Sequence, residues 1–349
     1  MTRPSHHAPG GGFRNPWGDD DGPHSFGDVL RWRFSEEARR ARTSDGSQPV
    51  AAVPSAFATP AAGRDTLTTT WVGHSTVLLQ LGGVNVLTDP MWSQRASPVS
   101  WAGPARLSPP GVSLDALPPI HVVLISHNHY DHLDRATVQR LAARHPDAVW
   151  FAPLGVRPLL QRWGARDVSE LDWWDTESAG GVQASCVPAR HFSARGLNDR
   201  GRTLWCGWTV TANGWRAYFA GDTALHPEFG EISRRHGPFD VALIPVGAYE
   251  PRWFMQRVHM NPDDAVQAYE AVRRAWPEAP PPAMLPIHWG TFRLTDEPMD
   301  EPPRRTHALW EAAGLASGDL WLSAPGQTHH RQRGDQRAML VAIPKPLIP

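Results

Sequence analysis

From Thr66 onward, short hydrophobic runs alternate with polar and turn-forming residues, as they do in successive β-strands. The segments TLTTTWV, STVLLQL and VNVLT predict three strands, and Gly82-Gly83 predicts the turn of a hairpin. The apolar run from His121 to Ser126 predicts a buried strand, and AVWFA predicts another. The first half of the chain is therefore expected to form one sheet.

The second half shows the same alternation. TLWCGWTVTAN and WRAYFAGD predict a hairpin around Asn213-Gly214, VALIPVG and AMLPIHWG predict buried strands, and a terminal strand is predicted around Asp319–Ser323. Helical spacing appears between and after these runs, and two of these segments begin at capping residues. The predicted helices are Asp134–His145 with Asp134 as N-cap, Leu154–Trp163, one that begins at Asn261, and Arg304–Ala313. Two batches of strands, each followed by helices, predict an α+β protein with two packed sheets covered by helices on the outside.

Residues 1–65 differ in composition, being rich in glycine, proline and small residues. They are predicted to form a partly flexible N-terminal extension of the main domain at residues 66–349. Phe26–Phe34 has the pattern of one short amphipathic element. That element either packs on the main domain or forms an arm that faces a membrane or a partner, and packing is favoured because helical periodicity alone rarely indicates more.

Composition narrows the possible functions. With 41% hydrophobic and 20% charged residues, the chain can bury a large core, and its net charge of −1 provides no general basic field for nucleic acid. A nuclease is therefore disfavoured. The two cysteines, Cys186 and Cys206, predict ordinary buried thiols rather than a disulfide framework. Neither a signal peptide nor a membrane-spanning run is visible, so a soluble cytoplasmic protein is expected.

A cluster of metal-ligand residue types follows the predicted strand that ends at Ser126. His127, His129, Asp131 and His132 place three imidazoles and one carboxylate within six positions. Neutral imidazole and carboxylate are ligands that zinc and similar metals take. The alternative is a polar surface loop that happens to contain histidines, but burying such a cluster without a metal would be costly. The spacing indicates two metal ions, most simply zinc, with iron or manganese as alternatives.

One such loop cannot complete two metal sites. Further candidates follow strand-like runs at His191 in PARHFS, Asp222 in FAGDT and His288 in LPIHWG. Each would project at an edge of the sheets, although any of them alone could be an ordinary hydrogen-bonded polar residue.

The motif together with these partners resembles the metallo-β-lactamase superfamily. Within it, the chain is similar to the N-acylphosphatidylethanolamine-hydrolysing phospholipase D family. The segments that carry the resemblance are FRNPW, WVGHSTVLLQ, LTDP, RASP, LISHNHYDHLD, ELDWW, AGDT, GPFD, IPVGAYEPRWFM and IHWGTF. The ligand motif is typical of the whole superfamily, whereas GAYEPRWFM and HWGTF are specific to this branch. The resemblance implies a four-layer αββα fold with two mixed sheets.

The resemblance also implies a ligand set. His127, His129 and His191 would hold one metal. Asp131, His132 and His288 would hold the other, and Asp222 would bridge the two. A bridging hydroxide would then attack phosphorus, with Asp131 or Asp222 as the catalytic carboxylate that holds or accepts the proton. His129 favours hydrolysis over electron transfer, because the redox di-iron branch usually has a carboxylate at this position.

Candidate substrate contacts are less specific. The resemblance implies a contact at His259, and Arg252 is the natural phosphate partner. Where the family carries a Gln-Tyr pair after RASP, this chain has Ser100-Trp101, so specificity for the head group and acyl chain does not transfer. The remaining candidates are Tyr249 as a pocket or bracing residue and His74 as either a partner of a metal ligand or a core histidine. Terminal histidines, which are His6, His7, His329 and His330, are expected to be solvent-exposed.

The leading functional prediction is a zinc phosphodiesterase of phospholipase D type that acts on N-acylphosphatidylethanolamine or a related phospholipid. The expected partners are a phospholipid or small phosphodiester and a peripheral membrane contact, with no nucleic acid. The oligomeric state is open, with a dimer as one candidate. The alternatives are a lactonase or ester hydrolase of the ascorbate-6-phosphate lactonase type and a non-catalytic metal-binding protein. The complete ligand set argues against the non-catalytic alternative.

Overall fold

The computed structural model describes residues 4–18, 26–36, 48–196 and 198–333. Within these residues the helices are α1 (Phe26–Arg33), α2 (Arg135–Arg144), α3 (Arg157–Arg162), α4 (Phe229–His236), α5 (Arg252–Met255), α6 (Pro262–Arg274) and α7 (Glu301–Ala312). The strands are β1 (Thr66–Gly73), β2 (Thr76–Leu81), β3 (Val84–Thr88), β4 (Val122–Leu124), β5 (Val149–Pro153), β6 (Asp167–Leu171), β7 (Thr176–Ala179), β8 (Val182–Val187), β9 (Gly207–Ala212), β10 (Trp215–Phe219), β11 (Val241–Pro245), β12 (Ala283–Ile287) and β13 (Thr328–Gln332).

The strands form two mixed sheets. The first has seven strands in the order β13-β1-β2-β3-β4-β5-β6, and the second has six in the order β12-β11-β10-β9-β8-β7. Pairing is parallel from β3 to β6 and from β10 to β12, and antiparallel elsewhere. One large apolar cluster lies between the sheets and beneath α4, α6 and α7, and a second lies beneath α2 and α3. The predicted four-layer αββα fold is therefore confirmed.

Burial explains why the strands are nearly continuous hydrophobic runs. Every residue of β4, β5, β11 and β12 is buried. A parallel strand covered on both faces has no solvent side and needs no polar alternation. Cys186 and Cys206 are free buried thiols, as expected.

Some element predictions were wrong or incomplete. Residues 319–323 do not form the terminal strand: a 3-10 turn covers Ser317–Asp319, and Leu320 makes only an isolated bridge. The last strand is β13, whose sequence THHRQ lacks hydrophobic residues because it is a largely solvated edge strand. β6 and β7 were not predicted, since DVSEL and TESA carry few apolar residues, and β8 was not predicted either.

The described part of the N-terminal extension packs against the domain. Trp17 stacks between Trp173 and His226, with ring centroids 5.5 Å and 4.7 Å away. The expectation that His6 is solvent-exposed was wrong, because the residue is only 5% exposed and its ring stacks on Trp173 at 4.3 Å. The predicted element at residues 26–34 is a helix, and Trp32 anchors it by donating from Nε1 to Asp296 Oδ2 at 2.6 Å.

Candidate metal centre

The candidate metal ligands lie in loops that follow strands at one edge of the two sheets. β4 leads to His127, β8 to His191, β10 to Asp222 and β12 to His288. β8, β10 and β12 run in the same direction, so their carboxyl ends meet at a common edge of the second sheet. Loops that leave such an edge can bring side chains from distant parts of a chain together.

Three imidazole nitrogens converge in a first group. His127 Nε2 lies 2.8 Å from His129 Nδ1, and His191 Nε2 lies 3.2 Å from the same atom. Burial lowers the pKa of His129 to about 4 and holds the pKa values of His127 and His191 well below the usual range. All three rings are therefore neutral at physiological pH, which is the form that binds metal.

A second group combines a carboxylate with two further imidazoles. Asp131 Oδ2 lies 3.3 Å from His132 Nε2 and 3.5 Å from His288 Nε2. Both histidine side chains have no exposed surface, while Asp131 retains 13% exposure. Asp131 is thus the member of this group that faces the opening of the site.

Asp222 lies between the two groups. Its Oδ2 atom is 3.1 Å from His132 Nε2 and 3.0 Å from His288 Nε2, and it is 3.8 Å from His191 Nε2 in the first group. One carboxylate oxygen thus approaches ligands of both sets. That is the position expected for a bridging carboxylate.

The two buried carboxylates of the centre, Asp131 and Asp222, need positive charge close to them. Burial tends to raise the pKa values of Asp131 and Asp222, but the neighbouring histidines outweigh it and hold both well below the usual range. Burial likewise opposes charge on His132 and His288, yet the carboxylates raise the pKa of His132 well above its usual value and that of His288 to about 9. In the absence of metal, protons on these histidines compensate the buried carboxylates. A bound cation would displace those protons.

Buried polar atoms at the centre also fit a metal. Within the described residues, Asp222 Oδ1 is buried and has no hydrogen-bond partner. Buried polar atoms without partners are rare and call for an explanation such as an ion. The donor set of imidazole nitrogens and carboxylate oxygens suits zinc-class metals.

Neighbouring groups fix the orientation of three ligand rings. His132 Nδ1 donates to Asp89 Oδ2 at 2.6 Å, and His191 Nδ1 donates to the Val258 carbonyl at 2.9 Å. His127 Nδ1 donates to Ser126 Oγ, which in turn donates to Asp89 Oδ2. Each bond leaves the Nε2 lone pair directed at the centre. Sequence reasoning did not assign this role to Asp89, although its position directly after β3 was a usable signal.

His74 contacts a ligand rather than open space. Its Nε2 lies 3.0 Å from Asp131 Oδ2, and the residue is 2% exposed. Burial lowers its pKa to about 3, so the neutral ring donates its Nε2 hydrogen to the carboxylate. One ring nitrogen of His74 also lies within 4.8 Å of the ligand atoms of Asp131, His132 and His288, and the role of His74 stays a prediction.

His259 faces the centre from the loop before α6. Its Nδ1 lies 3.9 Å from Asp222 Oδ2, and its ring centroid is 5.0 Å from that of His191. Arg252 supports it, because NH1 donates to the His259 carbonyl while NH2 pairs with Asp264 Oδ2 at 2.7 Å. Through these two bonds, the Arg252 guanidinium holds the loop that carries His259 in position.

Two of the other predicted substrate residues, Tyr249 and Ser100, form hydrogen bonds with residues outside the two ligand groups. Tyr249 is fully buried and donates its hydroxyl to Glu301 Oε1 at 2.7 Å, which makes it a brace for α7. Ser100 and Trp101 are exposed on a loop that Arg95 holds through the carbonyls of Ser100 and Gly103. Contact of these residues with substrate stays a prediction.

Comparison with known proteins identifies the family. Residues 84–289 match the model of the Beta-lactamase superfamily domain. An N-acyl-phosphatidylethanolamine-hydrolyzing phospholipase D 1 of Caenorhabditis elegans is 41% identical over 254 residues, covering 70% of this chain and 69% of that protein. The chain belongs to the metallo-β-lactamase superfamily, in the branch of this phospholipase D. The predicted family is therefore confirmed.

Other relatives in the metallo-β-lactamase superfamily agree. An uncharacterized protein of Mycobacterium tuberculosis is 44% identical over 286 residues, covering 80% of this chain and 73% of that protein. A metallo hydrolase from Ignicoccus hospitalis has the same fold, with a TM-score of 0.57 and 22% identity over 76% of this chain and 99% of that one. This superfamily member is thus a metal-dependent hydrolase. In the described residues, no helix is long and apolar enough to cross a membrane.

Proposed function

We propose that the protein is a dinuclear zinc phosphodiesterase of phospholipase D type that hydrolyses N-acylphosphatidylethanolamine or a related phospholipid. The observation that carries the proposal is the joining of two ligand groups by Asp222, whose Oδ2 lies 3.0 Å from His288 Nε2 and 3.8 Å from His191 Nε2. The relative that is 41% identical and named for this lipid hydrolysis supports the reaction class.

We assign one ion to the first group and one to the second. His127, His129 and His191 would hold the first ion, Asp131, His132 and His288 would hold the second, and Asp222 would contribute to both. When bound, two such ions supply Lewis acidity toward phosphate oxygens and a water that is nucleophilic near neutral pH.

The chain itself would orient the proton acceptor. Asp131 is the carboxylate of the centre with the greater side-chain exposure, 13% against 2% for Asp222. His74 donates to Asp131 Oδ2 and so holds the carboxylate in one orientation. In this proposal the free lone pairs of Asp131 accept the proton of the attacking water, and His259 orients the phosphoryl group beside Asp222.

A phospholipid substrate also requires contact with a lipid surface. Phe34, directly after α1, is 80% exposed, and Trp253 on the neighbouring helix α5 is 40% exposed. Trp101 is 79% exposed on its loop. Exposed large apolar and aromatic side chains favour the interface of a bilayer, which supports a peripheral membrane location.

The test is a metal count joined to an activity assay on one preparation. We expect about two or more zinc ions per chain. We also expect hydrolysis of bis(p-nitrophenyl) phosphate that is lost on chelation and restored by zinc. Asp222→Asn should lower turnover by about 100-fold or more, whereas the control Asp167→Asn, at an exposed position, should not.

Lipid specificity is tested next with vesicles that contain N-acylphosphatidylethanolamine. Release of the N-acylethanolamine would support the phospholipase D assignment. Metal-bound protein that turns over a lactone but neither phosphodiester would overturn it in favour of the lactonase alternative. Absence of metal after reconstitution would overturn the dinuclear centre itself.

A further inference from the structure

A second cluster of metal-ligand side chains lies where the N-terminal segment meets the end of β6. His6 Nε2 is 2.6 Å from Asp172 Oδ1, and His7 Nε2 is 2.7 Å from Asp172 Oδ2. The three ligand atoms lie within 4.8 Å of one another, and the cluster shares no residue with the catalytic centre. Neither the sequence motifs nor the proposed reaction gives these histidines a role.

A tight hairpin presents the two histidines. His7 bridges to Phe13 across the turn, and the Ala8 amide donates to the Gly12 carbonyl at 2.9 Å. The Arg14 amide donates to the His6 carbonyl at 2.8 Å. These bonds hold consecutive side chains, which normally diverge in an extended strand, so that both rings reach one carboxylate.

The carboxylate is also held in place. The Asp172 amide donates to Asp175 Oδ2 at 3.0 Å, and the Trp173 amide donates to Asp172 Oδ1 at 2.8 Å. The His6 ring stacks on Trp173 at 4.3 Å, and the His7 ring packs edge-on against Phe13 at 5.1 Å. Ligands whose orientation is fixed by packing and hydrogen bonds make a site that needs little rearrangement to bind an ion.

The chemistry of the donors indicates the class of ligand. Two imidazole nitrogens and one carboxylate oxygen form the mixed set that zinc and neighbouring transition metals take, whereas magnesium and calcium prefer oxygen alone. The side chains of His6, His7 and Asp172 are 7%, 21% and 19% exposed, so the site is formed but reachable from solvent. Three protein donors leave room for a water as fourth ligand.

We propose that His6, His7 and Asp172 bind a further divalent transition-metal ion of the zinc class, separate from the catalytic centre. The ion would fasten residues 4–18 to the domain. The same segment carries Asn15, whose Nδ2 donates to the carbonyl of His191 at 3.0 Å. Because a bound ion stabilises the state that binds it, occupancy would hold Asn15 against a ligand of the catalytic centre.

The test compares the metal content of the protein with that of two double variants. After equilibration with zinc and removal of excess, we expect about three zinc ions per chain in the original protein and about two in His6→Gln/His7→Gln. Glutamine can still donate to Asp172, so the variant keeps hydrogen bonds between the N-terminal segment and the domain. The control His307→Gln/His330→Gln removes two exposed histidines elsewhere and should retain the original count.

A second measurement is the unfolding temperature of each variant with and without added zinc. Zinc in excess of that held by the catalytic centre should raise the unfolding temperature of the original protein and of the control, but not that of His6→Gln/His7→Gln. Should that variant fail to fold, Asp172→Asn tests the same loss of one ion with the smallest change in shape. An equal zinc count and zinc response in all folded variants would overturn the proposal and leave only hydrogen bonds between the N-terminal segment and the domain.

These outcomes are independent of the proposed reaction. A difference of about one ion between the original protein and His6→Gln/His7→Gln would support the site even if no phosphodiester were hydrolysed. Full diesterase activity with no such difference would overturn the site and leave the proposed function intact.

Discussion

At the scale of single residues, Asp89 supports the metal centre although it does not belong to the predicted ligand set. Its Oδ2 atom accepts from His132 Nδ1 and from Ser126 Oγ, and its Oδ1 atom accepts from the Ser126 amide at 2.7 Å. The carboxylate therefore fixes the tautomer of one ligand directly and of His127 through Ser126. Residues of this kind contribute to metal affinity without touching the metal.

We predict that Asp89→Asn lowers zinc affinity by about 10- to 100-fold. An amide has only one acceptor oxygen, so it cannot accept at both the Oδ1 and the Oδ2 positions, and the tautomer of His132 is no longer fixed. Competition with a chromophoric chelator measures the affinity. Asp115→Asn, at an exposed carboxylate paired with Arg140, is the matched control and should bind as before. Equal affinities in the two variants would contradict the role of Asp89.

His74 allows a similarly direct test. Its backbone φ is 55°, a left-handed conformation that asparagine tolerates better than most residues. His74→Asn should therefore fold normally while removing the donor to Asp131. We expect kcat to fall by about 10- to 100-fold with little change in KM, measured on bis(p-nitrophenyl) phosphate. A raised KM with unchanged kcat would instead indicate that His74 contacts the substrate.

At the scale of elements, α6 begins directly after the loop that carries His259. Asn261 caps it by accepting from the Asp264 amide at 2.9 Å, and the Asp264 side chain accepts in return from the Asn261 amide, which completes a capping box. Pro262 stands at the first helical position. These local signals predict the start of this helix from the sequence alone.

We predict that Asn261→Ala lowers the free energy of unfolding by about 1 kcal/mol, since the Asp264 amide loses its acceptor. Urea unfolding followed by circular dichroism measures the change. Glu228→Ala is the control, because Glu228 precedes α4 without any side-chain cap bond, and its effect should stay within about 0.5 kcal/mol. A larger loss in Glu228→Ala than in Asn261→Ala would refute the capping argument.

At the scale of the whole molecule, the described N-terminal residues belong to the folded body. Trp17 stacks between Trp173 and His226, and Asn15 bonds the backbone of a candidate metal ligand. These residues attach the described part of the N-terminal extension to the edge of the sheets where the metal centre lies.

We predict that Trp17→Ala lowers the free energy of unfolding by about 2 kcal/mol, because a half-buried ring and its two stacking contacts are removed. Trp101→Ala is the matched control, since Trp101 is 79% exposed and its loss should cost no more than about 0.5 kcal/mol. Chemical unfolding of both variants, compared with the original protein, decides the matter. Equal costs would mean that residues 4–18 do not contribute to the stability of the domain.

Several features could be predicted from the sequence because each depends on neighbours in the chain. Alternation and apolar runs predict β1 to β5 and β9 to β12, and the capping residues Asp134 and Asn261 predict helix starts. The cluster from His127 to His132 indicates a metal by residue type and spacing alone.

Tertiary structure decided the features that depend on residues far apart in the chain. β13 carries no hydrophobic signal and pairs only because β1 offers an edge more than two hundred residues earlier, at Thr66 opposite Gln332. His6 is buried because it meets Asp172 across 166 positions, and Asp222 acquires its central place because two sheets end at one edge. Local pattern thus determined which residue types and elements this protein has, whereas long-range packing alone decided which of them meet, since distance in space is not encoded in the spacing along the chain.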